Sequence, residues 1–173
     1  MAASLDGYIA SATGDLAWLN DSMAADEDYR FSETQARTGA YIIGANSYRE
    51  MASHLDGRGL GAPTYVVTHH PGSEKPEGVE FYSGDLSELV ERTRAVTKRD
   101  IWVYGGADVV TQCLNQELLD ELTVSVVPVL LGDGVRFFGP LDRMHRLRLS
   151  SCQHFEKSGI VLLRYTRPSE PTS

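Results

Sequence analysis

The sequence predicts an α/β protein whose sheet is mostly parallel and is finished by antiparallel strands. Three observations carry this. Short runs of strand composition alternate with amphipathic stretches, at residues 40–43, 64–68, 79–82, 101–104, 122–131 and 160–165. At Tyr104-Gly105-Gly106-Ala107 a strand run, a glycine turn and a helical pattern follow one another without a gap. From Leu122 onward no helical period survives, and residues 123–127, 146–151 and 160–164 all read as strand.

Taken in order, Ala2 to Ala10 is apolar at both ends with an Asp6-Gly7 turn signal between, and it feeds a loop carrying Gly14 and Trp18. The acidic run Asp26-Glu27-Asp28 is expected to open a helix that ends at Gly39, its charges complementing the helix dipole. The next strand ends at Ile43-Gly44, and Asn46 or Ser47 is expected to cap a helix reaching Met51. Asp85 and Glu88 have capping-box spacing ahead of Leu86, Leu89 and Val90, which fall on one helical face. Val109, Val110, Cys113 and Leu114 do the same after the double glycine, and Leu131 to Gly134 reads as a tight turn. The length of 173 residues fits one domain, expected over residues 1–167, with residues 168–173 as a disordered tail.

Composition excludes several classes of function. A formal net charge of -8 with no local Lys/Arg run opposes the phosphate neutralisation on which nucleic-acid affinity rests. No apolar stretch approaches the ~20 residues of a membrane span, and Met-Ala-Ala-Ser has no signal-peptide character, so a cytoplasmic protein is expected. Cys113 and Cys152 lack Cys-x-x-Cys spacing, and the five histidines lack a His-x-x-x-His pair. No metal site is expected, and both thiols are expected to be free and buried.

The chemistry is carried by glycines. Gly105 and Gly106 let the backbone approach a pyrophosphate, and the helix N-terminus that follows points its N–H groups at an anion. Ala107, Asp108 and Val109 belong to that first turn. Gly44-Ala45-Asn46-Ser47 repeats the arrangement at a second strand end, and two such N-termini on one sheet edge can hold a dinucleotide. Thr68 and His69 close the 64–68 strand where the adenosine end would lie. On the substrate side, Ser4 can hydrogen-bond a carboxamide or a heterocycle, Asp6 and Asp28 are the candidate carboxylates for proton relay, and Trp18 sits in a loop suited to excluding water. Ala3 and Ile9 complete the cofactor-contacting set. Each feature also has an ordinary structural reading, as turn, cap, core aromatic or solvated charge.

Together these segments resemble a known family. Ser4-Leu5-Asp6-Gly7-Tyr8-Ile9-Ala10, Gly14 and Trp18, Gly44-x-x-Ser47, Tyr104-Gly105-Gly106-Ala107, Leu119-Asp120-Glu121-Leu122 and Pro128 to Gly134 occur in the order found in the reductase domain of the bifunctional riboflavin-biosynthesis deaminase-reductase. The stand-alone bacterial relatives are more similar still. The resemblance implies a dihydrofolate-reductase-like three-layer α/β/α fold, NADPH as hydride donor with NADH as the other candidate, a small-molecule substrate and a homodimer. The implied reaction is that of 5-amino-6-(5-phosphoribosylamino)uracil reductase. Ala45 departs from the cation frequent after the first glycine in stand-alone members, and Tyr104 from the acidic residue common before the double glycine. Reduction of another small nitrogen heterocycle, dihydrofolate-reductase-like activity and dinucleotide binding without turnover therefore stay open.

Overall fold

The structure is a computed structural model and describes residues 1–53, 60–71 and 76–168. The elements run β1 (Ala2–Ser4), β2 (Tyr8–Ala10), α1 (Ala17–Ser22), α2 (Phe31–Arg37), β3 (Thr38–Gly44), α3 (Ala45–Ala52), β4 (Thr64–Val67) and β5 (Val79–Tyr82). They continue with α4 (Leu86–Val96), β6 (Asp100–Gly105), α5 (Ala107–Asn115), β7 (Glu121–Val127), β8 (Val135–Arg136), β9 (Arg148–His154) and β10 (Val161–Thr166). Most of the expected tail lies outside the described residues. The chain divides into two compact units, one formed by Met1–Arg30 and the chain from Leu119 onward, the other by Phe31–Leu118.

The central unit is built on a four-stranded sheet of order β5-β4-β3-β6, parallel throughout. Its middle strands read as unbroken apolar runs because both faces are covered: Ala40, Tyr41, Ile42, Ile43 and Val66 are buried. Helix α4 follows β5 because Asp85 accepts a 2.8 Å hydrogen bond from the Ser87 amide, and its buried face is Leu86, Leu89, Val90 and Thr93. The expected reciprocal bond from Glu88 is not what closes this cap. Thr93 lies in the apolar face at no cost, since its hydroxyl donates to the Leu89 carbonyl at 2.7 Å. Helix α5 buries Val109, Val110, Cys113 and Leu114 as the spacing predicts. Burial pushes the Cys113 thiol up to about 12, which leaves it inert.

The other unit contains a sheet of order β1-β7-β10-β9, in which β1 runs parallel to β7 and the remaining pairs are antiparallel, together with the short pair β2-β8. Strand β7 ends at Val127 and not at Leu131. Pro128 cannot donate to a ladder, and the Val129 amide turns back to the Val127 carbonyl at 2.8 Å. Among the described residues no helix follows α5, as expected.

The acidic run departs from expectation. Helix α2 begins at Phe31, because Tyr29 and Arg30 take φ of 52° and 58°, values no helix admits. Asp26 and Glu27 instead hold the 157–158 turn: Asp26 pairs with Lys157, and Glu27 accepts from the amides of Lys157 at 3.0 Å and Ser158 at 3.1 Å. Cys152 is also not buried, since every residue of β9 is exposed.

Leu89→Ala should cost about 3 kcal/mol in urea unfolding, because it opens a cavity at a fully buried position. Val96→Ala, at the exposed end of the same helix, should change stability by less than about 0.5 kcal/mol.

Candidate cofactor site

The parallel register of the central unit brings its strand ends to one edge. Gly44 is opposite Val67, Val67 opposite Tyr82, and Ile43 opposite Gly105. Three helices, α3, α4 and α5, start from that edge. They do not start alike. Asp85 caps α4 with its own carboxylate, whereas Gly44 and Gly106, the N-caps of α3 and α5, bring no side-chain hydrogen bond. No N-cap side chain therefore serves the first-turn N–H groups of α3 and α5, and the positive ends of two dipoles lie at neighbouring strand ends.

The glycines are required by contact. A Cβ on Gly44 would lie 3.2 Å from Val109 Cγ2 and 3.3 Å from the Gly106 amide nitrogen. One on Gly106 would lie 2.9 Å from Ser47 Oγ, and Gly105 has a φ of 134°, which side chains rarely adopt. The Gly105–Gly106 peptide bond is cis. Each glycine turn thus touches the helix start that follows the other, and the two form one cradle.

Asn46 and Ser47 do not cap α3 as expected, because the helix already begins at Ala45 and both lie within its first turn. Asn46 Oδ1 accepts a 2.8 Å hydrogen bond from Arg49, which holds that guanidinium beside the helix start. Ser47 faces Gly106 across the cradle. Val109 is buried and contributes packing against Gly44, while Asp108, an acidic residue of the first turn of α5, is exposed. At the end of β4 the His70 amide donates to Thr68 Oγ1 at 3.1 Å, and His69 is exposed. Sequence reasoning missed the aromatic series approaching this edge: Trp102 has ring centroids 5.5, 5.7 and 5.3 Å from those of Phe31, Tyr41 and Tyr104. Burial raises the phenol of Tyr104, and burial followed by the neighbouring Tyr104 raises that of Tyr41, so both hydroxyls stay protonated at neutral pH.

The remaining candidates belong to the other unit. Ser4 is buried; its hydroxyl donates to Asp6 at 2.6 Å and accepts from the Tyr8 amide at 2.9 Å. Asp6 also accepts from the amides of Leu131 at 3.2 Å and Gly132 at 2.7 Å. The Ser4 hydroxyl, with those two amides, holds its carboxyl below the ordinary value. Asp6 therefore ties the β1–β2 turn to the loop after β7 and stays ionised. Ala3 is buried in β1, Ile9 is half-buried in β2, and Asp28 lies in an exposed turn. Trp18, in α1, has a buried Nε1 with no hydrogen-bond partner among the described residues. A donor left so costs about 1–3 kcal/mol, and it shares this state with a few other buried polar atoms of the same unit, Thr166 Oγ1 among them. The described residues hold no group of His, Cys, Asp and Glu able to bind a metal, and no helix among them is long and apolar enough to cross a membrane.

The fold is the dihydrofolate-reductase-like α/β fold, and the chain belongs to the RibD C-terminal domain family, whose model matches residues 1–161. It is 30% identical over 168 residues to the uncharacterized protein YwjB of Bacillus subtilis (strain 168), covering 96% of this chain and 95% of the relative. A solved structure of a protein assigned to riboflavin biosynthesis, from Shewanella sp. PV-4, matches with a TM-score of 0.86 at 25% identity, over 98% of this chain and 97% of that one. Dihydrofolate reductase from Enterococcus faecalis, complexed with NADP(H), matches with a TM-score of 0.65 at 16% identity, over 97% and 94% of the two chains.

Asp6 and Glu27 give the protein a defined acid response. For Glu27, burial works upward, but bonds from Ser158, the Lys157 amide and Tyr29 outweigh it and leave the carboxyl below its ordinary value. Both groups then hold fewer protons folded than unfolded in the acid range. Their stabilisation is present above the ordinary carboxylate range of about 4 and is lost as pH falls through the lower folded values. Melting temperature should drop in that window, and the double variant Asp6→Asn, Glu27→Gln should flatten the slope; an unchanged slope would contradict this assignment.

Proposed function

We propose that the protein is an NADPH-dependent reductase of a small nitrogen heterocycle, with a phosphoribosylamino-pyrimidine of the riboflavin-pathway type as the leading substrate class. The observation that carries this is the pair of uncapped helix starts, α3 and α5, packed through Gly44, Gly105 and Gly106 at one edge of a parallel sheet. A pyrophosphate fits the donor set, since backbone N–H groups and dipole ends are offered where a Cβ would intrude. NADP(H) in a structural neighbour and the riboflavin assignment of another support the same reading.

In this reading the first-turn amides of residues 45–47 and 107–109 hold the pyrophosphate. Thr68 and His69 line the adenosine end, and Arg49, fixed by Asn46, supplies the nearest positive charge for a 2′-phosphate. A nicotinamide held there would supply the hydride for a substrate carbon bonded to nitrogen, with the balancing proton delivered to that nitrogen. Asp28 is the candidate for that proton relay. Asp6, held ionised, orients Ser4 and the 131–132 loop, and Trp18 Nε1 donates to a substrate acceptor. The protein contributes position and water exclusion and forms no covalent bond to substrate. An enzyme of this kind belongs in the cytoplasm, where the reduced cofactor is held.

Thermal shift with NADPH and NADH tests the cofactor. NADPH at ~100 times its Kd should add about 2.7 kcal/mol of stability, with a smaller shift for NADH at equal concentration. Gly44→Val, which forces Val109 and the Gly106 backbone aside, should weaken NADPH by about tenfold or more, a loss of ~1.4 kcal/mol. No shift with either cofactor would remove the proposal.

NADPH oxidation across a panel of pyrimidines and pterins then defines the substrate. Trp18→Phe should lower kcat/KM about tenfold while leaving NADPH affinity intact and without lowering thermal stability, because it removes a donor that has no partner in the free protein and bonds only to substrate. Unchanged turnover would exclude Trp18 from the site.

A further inference from the structure

Four aromatic rings of the central unit form a series that runs from its core to its surface. Tyr41 in β3 is 2% exposed, Trp102 and Tyr104 in β6 are half-buried, and Phe31, which opens α2, is 46% exposed. Trp102 is the hub, its ring meeting those of Tyr41 and Tyr104 at a tilt and that of Phe31 edge-on. An aromatic core cluster is normally enclosed, because these side chains have the most apolar surface to remove from water. Three of these four keep part of it open.

Tyr104 is set apart by its place in the ladder. Ile42 is opposite Val103, and the next residue, Ile43, is opposite Gly105, so Tyr104 is an extra residue without a partner on β3. Bulges are uncommon between parallel strands, and they re-aim a side chain beside a site. The hydroxyl is set apart as well. Burial is all that moves its pKa, and no hydrogen bond among the described residues engages it. By contrast the hydroxyls of Tyr8, Tyr29 and Tyr82 donate to Gly132, Glu27 and Asp85. A phenol left in this state keeps a donor and an acceptor for a ligand.

We propose that Tyr104 contacts the substrate: its heterocycle lies against the open rings of Phe31, Trp102 and Tyr104, and the Tyr104 hydroxyl hydrogen-bonds its polar edge. This rests on the reductase reading and assigns that reading a specificity-determining residue. The occupant follows from place and chemistry. Tyr104 is joined to Gly105, so its Cα lies about 3.8 Å from that of the first glycine of the cradle, beside whatever dinucleotide is held there. Aromatic rings attract a planar π system by offset stacking or edge-to-face contact. A nitrogen heterocycle supplies that plane, and the carbonyl or amino groups around it match a hydroxyl that both donates and accepts. An aliphatic substrate uses neither property.

Trp18 and Trp102 are the two tryptophans of the chain, so in a Trp18→Phe background the emission of the full chain reports on Trp102 alone. 5,6-Diaminouracil and pterin are titrated into that protein with and without added NADP⁺, and at least one should quench the emission saturably. Adding Tyr104→Phe removes the hydroxyl and keeps the ring. It should raise the quenching midpoint about tenfold, with NADPH affinity held within about twofold. The melting temperature should not fall, since the hydroxyl has no partner in the free protein. Tyr165→Phe, at a half-buried tyrosine of the other unit, should leave the midpoint unchanged. Quenching by neither probe in a protein that NADPH stabilises overturns the proposal, as does an unchanged midpoint in Tyr104→Phe. So does a Tyr104→Phe that weakens NADPH and not the heterocycle, which gives the rings to the nicotinamide. Hydroxyl-dependent quenching in a protein that NADPH does not stabilise upholds the aromatic wall and removes the cofactor reading instead.

Discussion

The close approach of two parallel strand ends is the constraint on which the central unit depends. β3 and β6 are neighbours in register, so the turns leaving them must leave side by side, and the helices that follow must start side by side as well. Glycine at 44, 105 and 106 suits that geometry: a Cβ at 44 or 106 would crowd Val109, the Gly106 backbone or Ser47, and Gly105 has a φ that side chains rarely adopt. Backbone N–H groups consequently gather where no side chain intrudes. The contrast with α4 makes the point: that helix starts from the same edge but satisfies its own N-terminus through Asp85. What distinguishes the starts of α3 and α5 from that of α4 is the missing side-chain cap, more than the presence of glycine.

The other unit solves a different problem, the fixing of loops around short strands. β1 and β2 have three residues each, too few to be held by their ladders alone. Asp6 supplies the missing constraint by binding Ser4, Leu131 and Gly132, and Glu27 does the same for the 157–158 turn. The hydrogen bonds these carboxylates accept account for their lowered pKa. Trp18 is the opposite case, a buried donor whose partner is not supplied by the described residues. A group left unsatisfied at this cost points to a ligand more directly than a satisfied one does.

Much of this was legible in the sequence, for reasons that differ by residue. Strands β3, β4, β5 and β6 and helices α4 and α5 announced themselves because their apolar periods match their burial, and the glycine junctions because glycine has few other uses between strand and helix. The start of α2 was not legible: Asp26-Glu27-Asp28 looks like an N-terminal turn, but Tyr29 and Arg30 take positive φ, which their residue types do not signal, and the partner of Glu27 at Ser158 is more than a hundred residues away in sequence. The loop-tying contacts of Asp6 were hidden for the same reason, since its partners at 131 and 132 are distant. Asn46 and Ser47 were misread as caps because a sequence shows which residues are able to cap, and not which turn the helix begins on. The exposure of Cys152 follows from its place on an edge strand, which only the sheet order reveals.

The central claim, that the paired glycine turns form one anion cradle for a dinucleotide, is tested most directly by backbone amide NMR during titration with NADPH. The account requires the largest shifts at the amides of residues 44–47 and 105–109, with the N-terminal amides of α4 little affected because Asp85 already holds them. Shifts centred elsewhere, or equal movement at all three helix starts, would contradict it.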